Sequence, residues 1–338
     1  MIKVIIAIIL VFSVLANLTA QESDSLKTRP AQVTFAYPIG SSGMSSFKYS
    51  NNFSFNILYG LNGGVNGVEI GSLLNYNKGQ VKGFQLSGVS NINRAYSKGI
   101  LLAGISNIIT DSSAGLMVSG VINYTKKNSK GFQLSAINIS ANEFRGFQLG
   151  VVNYAKKIKG VQLGLINILS DGEKGIPMGL VSIVKNGHYE FEITAGEVMY
   201  SNLVYKMGVE RFYTIYKTSY ASYKNTPVYS VGLGFGRNIL LSEKQKISVD
   251  LTTNQIFYNN DWEGNLNMLN KVDFNYKYNI SQKFSFLIGP SFNIYVTKKM
   301  IDGQYGTLNI PYSIHSNQWA SGKLWMWFGL NAGLSLKL

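Results

Sequence analysis

The feature that most constrains this chain is a run of near-identical short units between Gly67 and Ser182. Eight units begin with glycine and read, for example, GFQLSGVSN from Gly83, GFQLSAIN from Gly131 and GVQLGLIN from Gly160. Successive leading glycines are 16, 16, 16, 16, 15, 14 and 15 residues apart. A fixed period of this kind indicates one structural unit that is copied and then stacked or laid side by side.

Two all-β arrangements fit these units. In the first, each unit is one strand of an antiparallel transmembrane β-barrel of about 16–18 strands, because about 9–11 residues let a tilted strand cross a bilayer. In the second, the units are turns of a β-solenoid inserted into a barrel of about 8–10 strands, built from residues 32–62 and 188–338. The first arrangement is favoured, since it assigns a normal length of chain to each strand.

The units carry amide side chains at fixed positions. In a solenoid these amides would stack and satisfy one another's hydrogen bonds as a ladder, whereas in a barrel they would line a polar lumen or a binding face. The ladder is the preferred interpretation. The glutamines are Gln85, Gln133, Gln148 and Gln162, and the asparagines are Asn75, Asn91, Asn107, Asn123, Asn138, Asn153 and Asn167.

The early units are one residue longer than the later ones. One added residue within a strand would turn every later side chain to the opposite face, but a bend tolerates the change. This length difference favours the solenoid.

From His188 onward, apolar and polar residues alternate in longer segments. This period of two predicts strands with one polar and one apolar face, as in a barrel with a polar interior and a lipid-facing exterior. Tryptophans of the chain, which are Trp262, Trp319, Trp325 and Trp327, are expected at the membrane interfaces. The last strand has apolar residues at alternate positions, including Phe328, Leu330, Leu334, Leu336 and Leu338.

Residues 1–20 have the pattern of a secretory signal peptide. Lys3 precedes an apolar run from Val4 to about Leu15, and small residues follow at Ala16 and Ala20. Residues 21–31 are polar and are expected to form a flexible leader. The barrel is therefore expected to span residues 32–338, with the repeat array at 67–186.

Composition excludes several functions. The chain has no cysteine, which removes disulfides, thiol nucleophiles and thiolate metal sites. Its two histidines, His188 and His315, are far apart in sequence, so no metal site or cofactor is predicted. His188 with a serine of a neighbouring strand would be the one conceivable hydrolytic pair, but a structural role is preferred and no enzyme activity is predicted. The net charge of +14 suits anionic partners, yet an exported chain is not expected to bind nucleic acid.

The repeat form G-[FV]-Q-L-[SG]-x-x-N resembles a poorly characterised family of bacterial surface-repeat proteins of the outer membrane. The terminal strand resembles the signal by which outer-membrane barrels are recognised for insertion, although Leu338 stands where an aromatic residue is usual. The resemblance implies a Gram-negative outer-membrane location, with membrane lipid, lipopolysaccharide and the barrel-assembly machinery as partners. It implies no catalytic residues and no known ligand.

Two functions follow as expectations. The first is a structural or porin-like, passive-diffusion role for an outer-membrane barrel. The alternative is a surface recognition or adhesion module, in which the repeat array presents a regular face to an unknown partner or glycan.

Overall fold

The computed structural model describes residues 26–171, 174–259 and 266–338. Strands account for 74% of the residues and helix for ~2%, in the 3-10 helix Gly43–Lys48. None of the helical residues in these ranges forms a helix long and apolar enough to cross a membrane. The all-β fold class predicted from the sequence is confirmed.

The N-terminal part is a parallel β-solenoid of about eight turns. Its strands are β1 (Lys27–Ala36), β2 (Ile39–Gly40), β3 (Tyr49–Asn62), β4 (Gly64–Gly71), β5 (Leu74–Asn77), β6 (Val81–Ser87), β7 (Ser90–Asn93), β8 (Ser97–Ala103), β9 (Ser106–Ile109), β10 (Ser113–Ser119), β11 (Ile122–Thr125), β12 (Ser129–Leu134), β13 (Ile137–Leu149), β14 (Val152–Leu163), β15 (Ile166–Asp171), β16 (Gly175–Met178) and β17 (Val181–Val184).

Each solenoid turn places one strand in each of two parallel rows. Gly83, for example, pairs with Gly67 of the turn before and with Gly99 of the turn after. In the other row, Asn91 pairs in the same way with Asn107. The long strands β13 and β14 pass through a corner and so belong to both rows. Because identical positions lie one above another, the sequence repeat becomes a structural ladder.

The leading glycine of the first seven units is required by the backbone. Gly99 and Gly115 have φ angles of 131° and 117°, which L side chains rarely adopt. A Cβ atom added to Gly115 would collide with the carbonyl oxygen of Gly99. Glycine therefore recurs because the turns approach one another too closely at this point for any side chain.

The structure has the second predicted arrangement, a solenoid joined to a smaller barrel, so the repeats are not barrel strands. The change in unit length falls at the bend between the two rows: Gly120 and Val121 follow Ser119 in one turn, whereas Ala136 alone follows the equivalent Ser135 in the next. Both rows of strands therefore keep their register. In the middle of a barrel strand, the same change of one residue would have turned every later side chain to the opposite face.

The bounds of the two parts differ from those expected. Residues 32–62 belong to the solenoid and not to the barrel, because β1 and β3 pair in parallel with each other and β3 pairs with β4. The last residues of the expected leader, from Lys27, lie in β1. The expected signal peptide, residues 1–20, lies outside the described residues.

The C-terminal part is an antiparallel barrel closed by eight strands. Its strands and their hairpins are β18 (His188–Gly196), β19 (Ser201–Val209), β20 (Phe212–Tyr223), β21 (Thr226–Leu240), β22 (Gln245–Tyr258), β23 (Asn267–Asn279), β24 (Phe284–Thr297), β25 (Met300–Ile301), β26 (Gln304–Tyr305), β27 (His315–Trp319) and β28 (Gly322–Lys337).

Pairing between the first and last barrel strands, β18 and β28, closes the sheet, so neither strand is an edge. Polar residues mostly point inward and apolar residues mostly outward, although an apolar cluster around Tyr295 and Trp327 also lies inside. In β18, Glu190 and Glu192 are buried while Phe191 and Ile193 are exposed. The alternation predicted from the sequence is thus the inside and outside of this barrel.

Turns of two to four residues join the strands at one end of the barrel, the short-turn end. The other end, the long-loop end, has the short turns 197–200 and 224–225 and also the longer connections from β22 to β23 and from β24 to β28. The last solenoid turn packs on β19 and β20 near the short-turn end. Thr214 Oγ1 donates to the carbonyl of Gly179 at 2.6 Å, and the hydroxyl of Tyr216 donates to the carbonyl of Leu180. Val209 of the barrel closes the apolar end of the solenoid core.

Candidate functional site: the solenoid core and the barrel lumen

The predicted asparagine ladder is present inside the solenoid. Asn91 Nδ2 donates to Asn107 Oδ1 at 2.8 Å and also to the carbonyl of Leu102 at 2.8 Å. The side-chain links continue from Asn75 to Asn167 with distances of 2.8–3.1 Å. Because every amide is buried and hydrogen-bonded to its neighbours, this ladder holds the turns together and offers no face to a partner.

The glutamines are also buried, but they do not form one continuous ladder. Gln148 Nε2 donates to Gln133 Oε1 at 2.7 Å, and Gln162 Nε2 donates to Gln148 Oε1 at 2.8 Å. Gln85 is separated from them by Leu101 and Met117, which occupy the same position in two turns. These glutamines therefore line neither a lumen nor an exposed binding face.

Sequence reasoning missed a carboxylate in the solenoid core, Glu69. Four amide groups donate to it: Asn56 at 2.9 Å and Asn62 at 2.5 Å to Oε1, and Asn77 at 2.7 Å and Gln85 at 2.8 Å to Oε2. Burial raises the pKa of Glu69 to about 7, against the opposing effect of these hydrogen bonds. The signal in the sequence was a single acid at a position that is glutamine, leucine or methionine in the next turns.

The barrel lumen is filled by ion pairs. Lys206 Nζ lies 2.7 Å from Glu192 Oε1 and 2.6 Å from Asp250 Oδ2. Lys277 Nζ lies 2.9 Å from Glu190 Oε2 and also contacts Glu192. All five side chains are buried. Buried charges of opposite sign that also hydrogen-bond are the form in which charge is tolerated away from water.

Little space is left beside these charges. A cavity of about 20 Å³, lined in part by Lys217, Asp273 and Asn331, lies within the barrel. This volume is close to that of one water molecule. An eight-stranded barrel has an interior that side chains can fill, and here they do so.

The long-loop end of the barrel is closed by an apolar cluster. Val198, Leu308 and Trp327 belong to it, together with Tyr295. The hydroxyl of Tyr295 also lies 3.1 Å from Thr307 Oγ1, which ties the segment after β26 into the barrel. The lumen therefore has an apolar plug at this end.

His188 lies at the short-turn end, buried inside the barrel. Its Nε2 atom is 3.2 Å from Glu190 Oε2, and its Nδ1 atom is 3.3 Å from Glu210 Oε1. Tyr213 stacks obliquely on its ring, with the centroids 5.0 Å apart. Glu210 lies in a turn outside the strands, and although burial opposes it, hydrogen bonding to His188 lowers the pKa of Glu210 to about 2. His188 thus bridges the carboxylates of Glu190 and Glu210.

Trp325 and Trp327 do not lie in the predicted belt at the membrane interfaces. Trp327 is fully buried, and its Nε1 donates to Glu197 Oε1 at 2.8 Å. Trp325 stacks on Tyr295 inside the long-loop end, with ring centroids 5.4 Å apart. These two side chains face inward because, along β28, they stand at the same alternate positions as the inward-facing polar residues. Trp319 is 37% exposed, and Trp262 lies outside the described residues.

The apolar residues of the terminal strand behave as the sequence predicted. Phe328, Leu330 and Leu334 are each more than half exposed on the outer wall of the barrel, as is the terminal Leu338. Leu336 lies on the same face and is partly exposed. They belong to a continuous apolar exterior that also includes Val231 and Leu251.

An open apolar groove of about 690 Å³ lies where the solenoid meets this exterior. Phe212 and Phe235 of the barrel form one side, and the bends of four solenoid turns form the other, among them Val151, Leu165 and Leu180. No group of histidine, aspartate and glutamate side chains suited to a metal ion occurs among the described residues.

Fold and interior together define an all-β chain in which a parallel solenoid is joined to a closed eight-stranded barrel with a charged interior and an apolar exterior. No family model, curated protein or solved structure matches the chain.

Proposed function

We propose that this protein is a structural protein of the Gram-negative outer membrane, in which the barrel crosses the bilayer and anchors the solenoid. The observation that carries the proposal is the closed barrel with charged residues inside and apolar residues outside. A closed barrel leaves no strand edge unpaired, which is the condition for crossing a bilayer with strands. Membrane lipid, lipopolysaccharide and the barrel-assembly machinery are the partners proposed with it.

The filled lumen favours a structural role over passive diffusion. Ion pairs centred on Lys206 and Lys277 occupy the middle of the barrel, and the cluster around Tyr295 and Trp327 occupies one end. A solute would have to separate buried charges before it could pass, at a cost of several kcal/mol. In planar bilayers we therefore expect no stepwise conductance from the purified protein, and regular conductance steps would contradict the closed lumen.

Cysteine labelling tests the membrane-spanning barrel directly, because the native chain has no cysteine. Single cysteines would be placed at Asn225 in the long-loop end, at Lys244 in the short-turn end and at Val231 on the outer wall. A membrane-impermeant maleimide should label position 225 in intact cells and position 244 only after the outer membrane is permeabilised. Position 231 should stay protected in both cases, and labelling there would contradict the proposal.

A recognition role for the array is the alternative, and it would have to use the exterior of the solenoid. The ladder residues are buried, so any recognition would use the side chains on the outer faces of the two rows of strands. Those faces are mostly apolar with basic residues near one corner, which is an unusual surface for an exposed adhesion module.

A further inference from the structure

We infer that the solenoid docks edge-on into the phospholipid leaflet next to the short-turn end of the barrel. One corner of the solenoid lies among the acyl chains and the opposite corner lies at the headgroup phosphates. The inference rests on the proposed membrane-spanning barrel, because short turns of such barrels are periplasmic and the solenoid packs near that end.

The corner that enters the acyl chains, here termed the apolar edge, is the bend after the first strand of each turn. One apolar residue of every turn stands there, and the backbones of successive bends are hydrogen-bonded. Six of them are 41–53% exposed. These six are Leu73, Ile105, Val121, Val151, Leu165 and Leu180.

The outer faces next to the apolar edge are apolar as well. On the first row of strands the outward position after the leading glycine is apolar in each turn, and Phe132 and Phe147 stack there with centroids 5.5 Å apart. On the second row, Tyr124, Ile139 and Tyr154 stand in register at the equivalent outward position. The solenoid thus has a largely apolar outside, while its core holds buried amides and one carboxylate besides the apolar clusters around Leu101 and Phe144. A protein that is surrounded by water usually keeps such polar groups on its outside.

The opposite corner, here termed the basic edge, is formed by the links between turns. One row of cations runs along the first face and another along the second. The first consists of Lys82, Lys98, Lys130, Arg145, Lys159 and Lys174, and the second includes Lys78, Lys126, Lys156 and Lys185.

Acidic residues do not balance the basic edge. Residues 63–187 contain thirteen lysines and arginines against five acids, and one of these acids, Glu69, is in the core. Asp111 and Glu143 stand on the edge itself, where they pair with Lys127 and Arg145 at 2.9 and 2.8 Å. The net positive charge suits phosphate groups of anionic lipid, each nearby lysine contributing about 1 kcal/mol.

The dimensions of a solenoid turn match one leaflet. The strand from Ser97 to Ala103 has seven residues and leads from the basic edge to the apolar edge. At about 3.3 Å per residue this distance is ~23 Å, and half of a bilayer with its headgroups is about 20–22 Å thick.

The backbone hydrogen bonds of the solenoid are also compatible with a lipid environment. Parallel pairing between turns supplies hydrogen bonds to the backbone of both rows of strands. The bends are hydrogen-bonded as well, for example from Val121 N–H to the carbonyl of Ile105 at 3.0 Å. Irregular segments are excluded from the hydrocarbon core of a bilayer because their backbone N–H and C=O groups would lack hydrogen-bond partners there.

The apolar edge is continuous with the outer wall of the barrel. The groove between them has Phe212 and Phe235 on the barrel side and Leu165 and Leu180 on the solenoid side. A lipid that touches the barrel wall at this height therefore also touches the apolar edge.

Depth-dependent quenching tests the docking in the full-length protein. Single-cysteine variants Ile105→Cys and Leu165→Cys on the apolar edge and Lys98→Cys on the basic edge would carry an environment-sensitive dye. Leu251→Cys on the barrel wall is the matched control for insertion. The proteins would be reconstituted in vesicles of phosphatidylethanolamine and phosphatidylglycerol, with a doxyl acyl chain as the lipid quencher and iodide on both sides as the aqueous one.

We expect the doxyl lipid to quench the dyes at positions 105, 165 and 251, and iodide to quench the dye at position 98. Iodide quenching at 105 and 165, with doxyl quenching kept at 251, would overturn the docking and leave the barrel proposal intact, as for a solenoid that meets a protein partner. Loss of doxyl quenching at 251 would overturn the barrel proposal itself. Doxyl quenching at 98 as strong as at 105 would overturn the edge-on placement.

Charge reversal on the basic edge tests the headgroup contact separately. In the Ile105→Cys protein, the added substitutions Lys82→Glu, Lys98→Glu and Lys130→Glu should reduce doxyl quenching and increase iodide quenching. Lys224→Glu with Lys298→Glu at the long-loop end is the control and should leave both unchanged. Equal quenching in all three proteins would overturn the role of the cations.

Discussion

At the scale of single residues, the repeated glycine decides how closely the solenoid turns can stack. Gly115 combines a φ of 117° with contact to the backbone of the turn before it. Gly303, in the hairpin of β25 and β26, has a φ of 75°, but no atom beyond its two chain neighbours lies within 4 Å of the position that an added Cβ would take. Substitution of Gly303 therefore measures the cost of the backbone conformation alone, whereas substitution of Gly115 adds the cost of a steric clash with the neighbouring turn.

We predict that Gly115→Ala destabilises the solenoid by more than Gly303→Ala destabilises the barrel. The φ angle alone costs about 1–3 kcal/mol at either position, and only Gly115→Ala must also move the neighbouring turn. Hydrogen exchange of peptides from residues 97–134, measured by mass spectrometry, should show faster exchange in the first variant. Equal small effects of the two substitutions would contradict the close approach of the turns.

Glu69 gives the solenoid a pH dependence. Its pKa is raised from 4.5 to about 7, so the folded state holds the proton more tightly than the unfolded state. The stabilisation is fully present below pH 4.5 and is lost as the pH rises through about 7, with a total of about 3 kcal/mol.

Glu69→Gln should therefore remove the part of the stability that declines between pH 4.5 and 7. The measurement is the urea midpoint of solenoid unfolding at a series of pH values. Glu143→Gln on the exposed basic edge is the control and should keep the decline, since that carboxyl has its pKa lowered to about 2 by Arg145 and Lys159. A wild-type midpoint that rises with pH across this window would contradict the assignment.

In the barrel, Lys277 bridges two of the buried carboxylates. Lys277→Met removes the cation that contacts both Glu190 and Glu192. Glu192 then keeps Lys206, whereas Glu190 keeps only the longer contacts to His188 at 3.2 Å and Lys246 at 4.0 Å. We expect a loss of about 3–5 kcal/mol, seen as a lower temperature for the loss of the folded, fast-migrating barrel on gels. Lys283→Met, at an exposed turn, should leave that temperature unchanged, and an equal drop in both variants would contradict the network.

At the scale of elements, the asparagine ladder is what makes neighbouring turns cooperative. Asn123 accepts a hydrogen bond from Asn107 and donates to Asn138 and to the carbonyl of Leu134, so it joins three consecutive turns. The exposed Asn142 makes one side-chain hydrogen bond at the surface, from its Nδ2 to Asn128 Oδ1 at 3.0 Å.

Asn123→Ala should destabilise the solenoid by about 2–4 kcal/mol, since it leaves buried donors and acceptors without partners. Asn142→Ala should change stability by less than about 0.5 kcal/mol, as for other surface substitutions. Both values are read from urea unfolding of the solenoid. Similar values for the two variants would mean that the ladder does not couple the turns.

At the scale of the whole molecule, side-chain hydrogen bonds join the solenoid to the barrel. Thr214 and Tyr216 of β20 donate to backbone carbonyls of the last solenoid turn, and the hydroxyl of Tyr189 in β18 bonds to the backbone of Val184. Lys185 lies in the connection that follows this turn and is exposed.

The double variant Thr214→Val with Tyr216→Phe should loosen this junction without altering either part. We expect faster trypsin cleavage at Lys185, with the released barrel remaining folded. Tyr220→Phe, farther along the same strand and 44% exposed, is the matched control. Unchanged cleavage in the double variant would show that apolar packing around Val209 is sufficient.

Much of this architecture could be read from the sequence. The period of the glycines and asparagines predicts a stacked or side-by-side array, and the repeated amide positions predict the ladder. Alternation from Tyr189 onward predicts strands with polar and apolar faces, because side chains of a strand point to opposite sides. These features are local, and a local pattern is visible in the sequence itself.

Only the tertiary structure decided which strands pair with which. A unit of 14–16 residues is long enough for a barrel strand or for a solenoid turn, and the choice depends on whether its hydrogen-bond partners are antiparallel or parallel. The site around Glu69 depends on Asn56 and Asn62, which precede the repeats. The inward position of Trp327 depends on the register of β28 in the closed barrel. Contacts between distant segments fix these outcomes, so no local pattern could have predicted them.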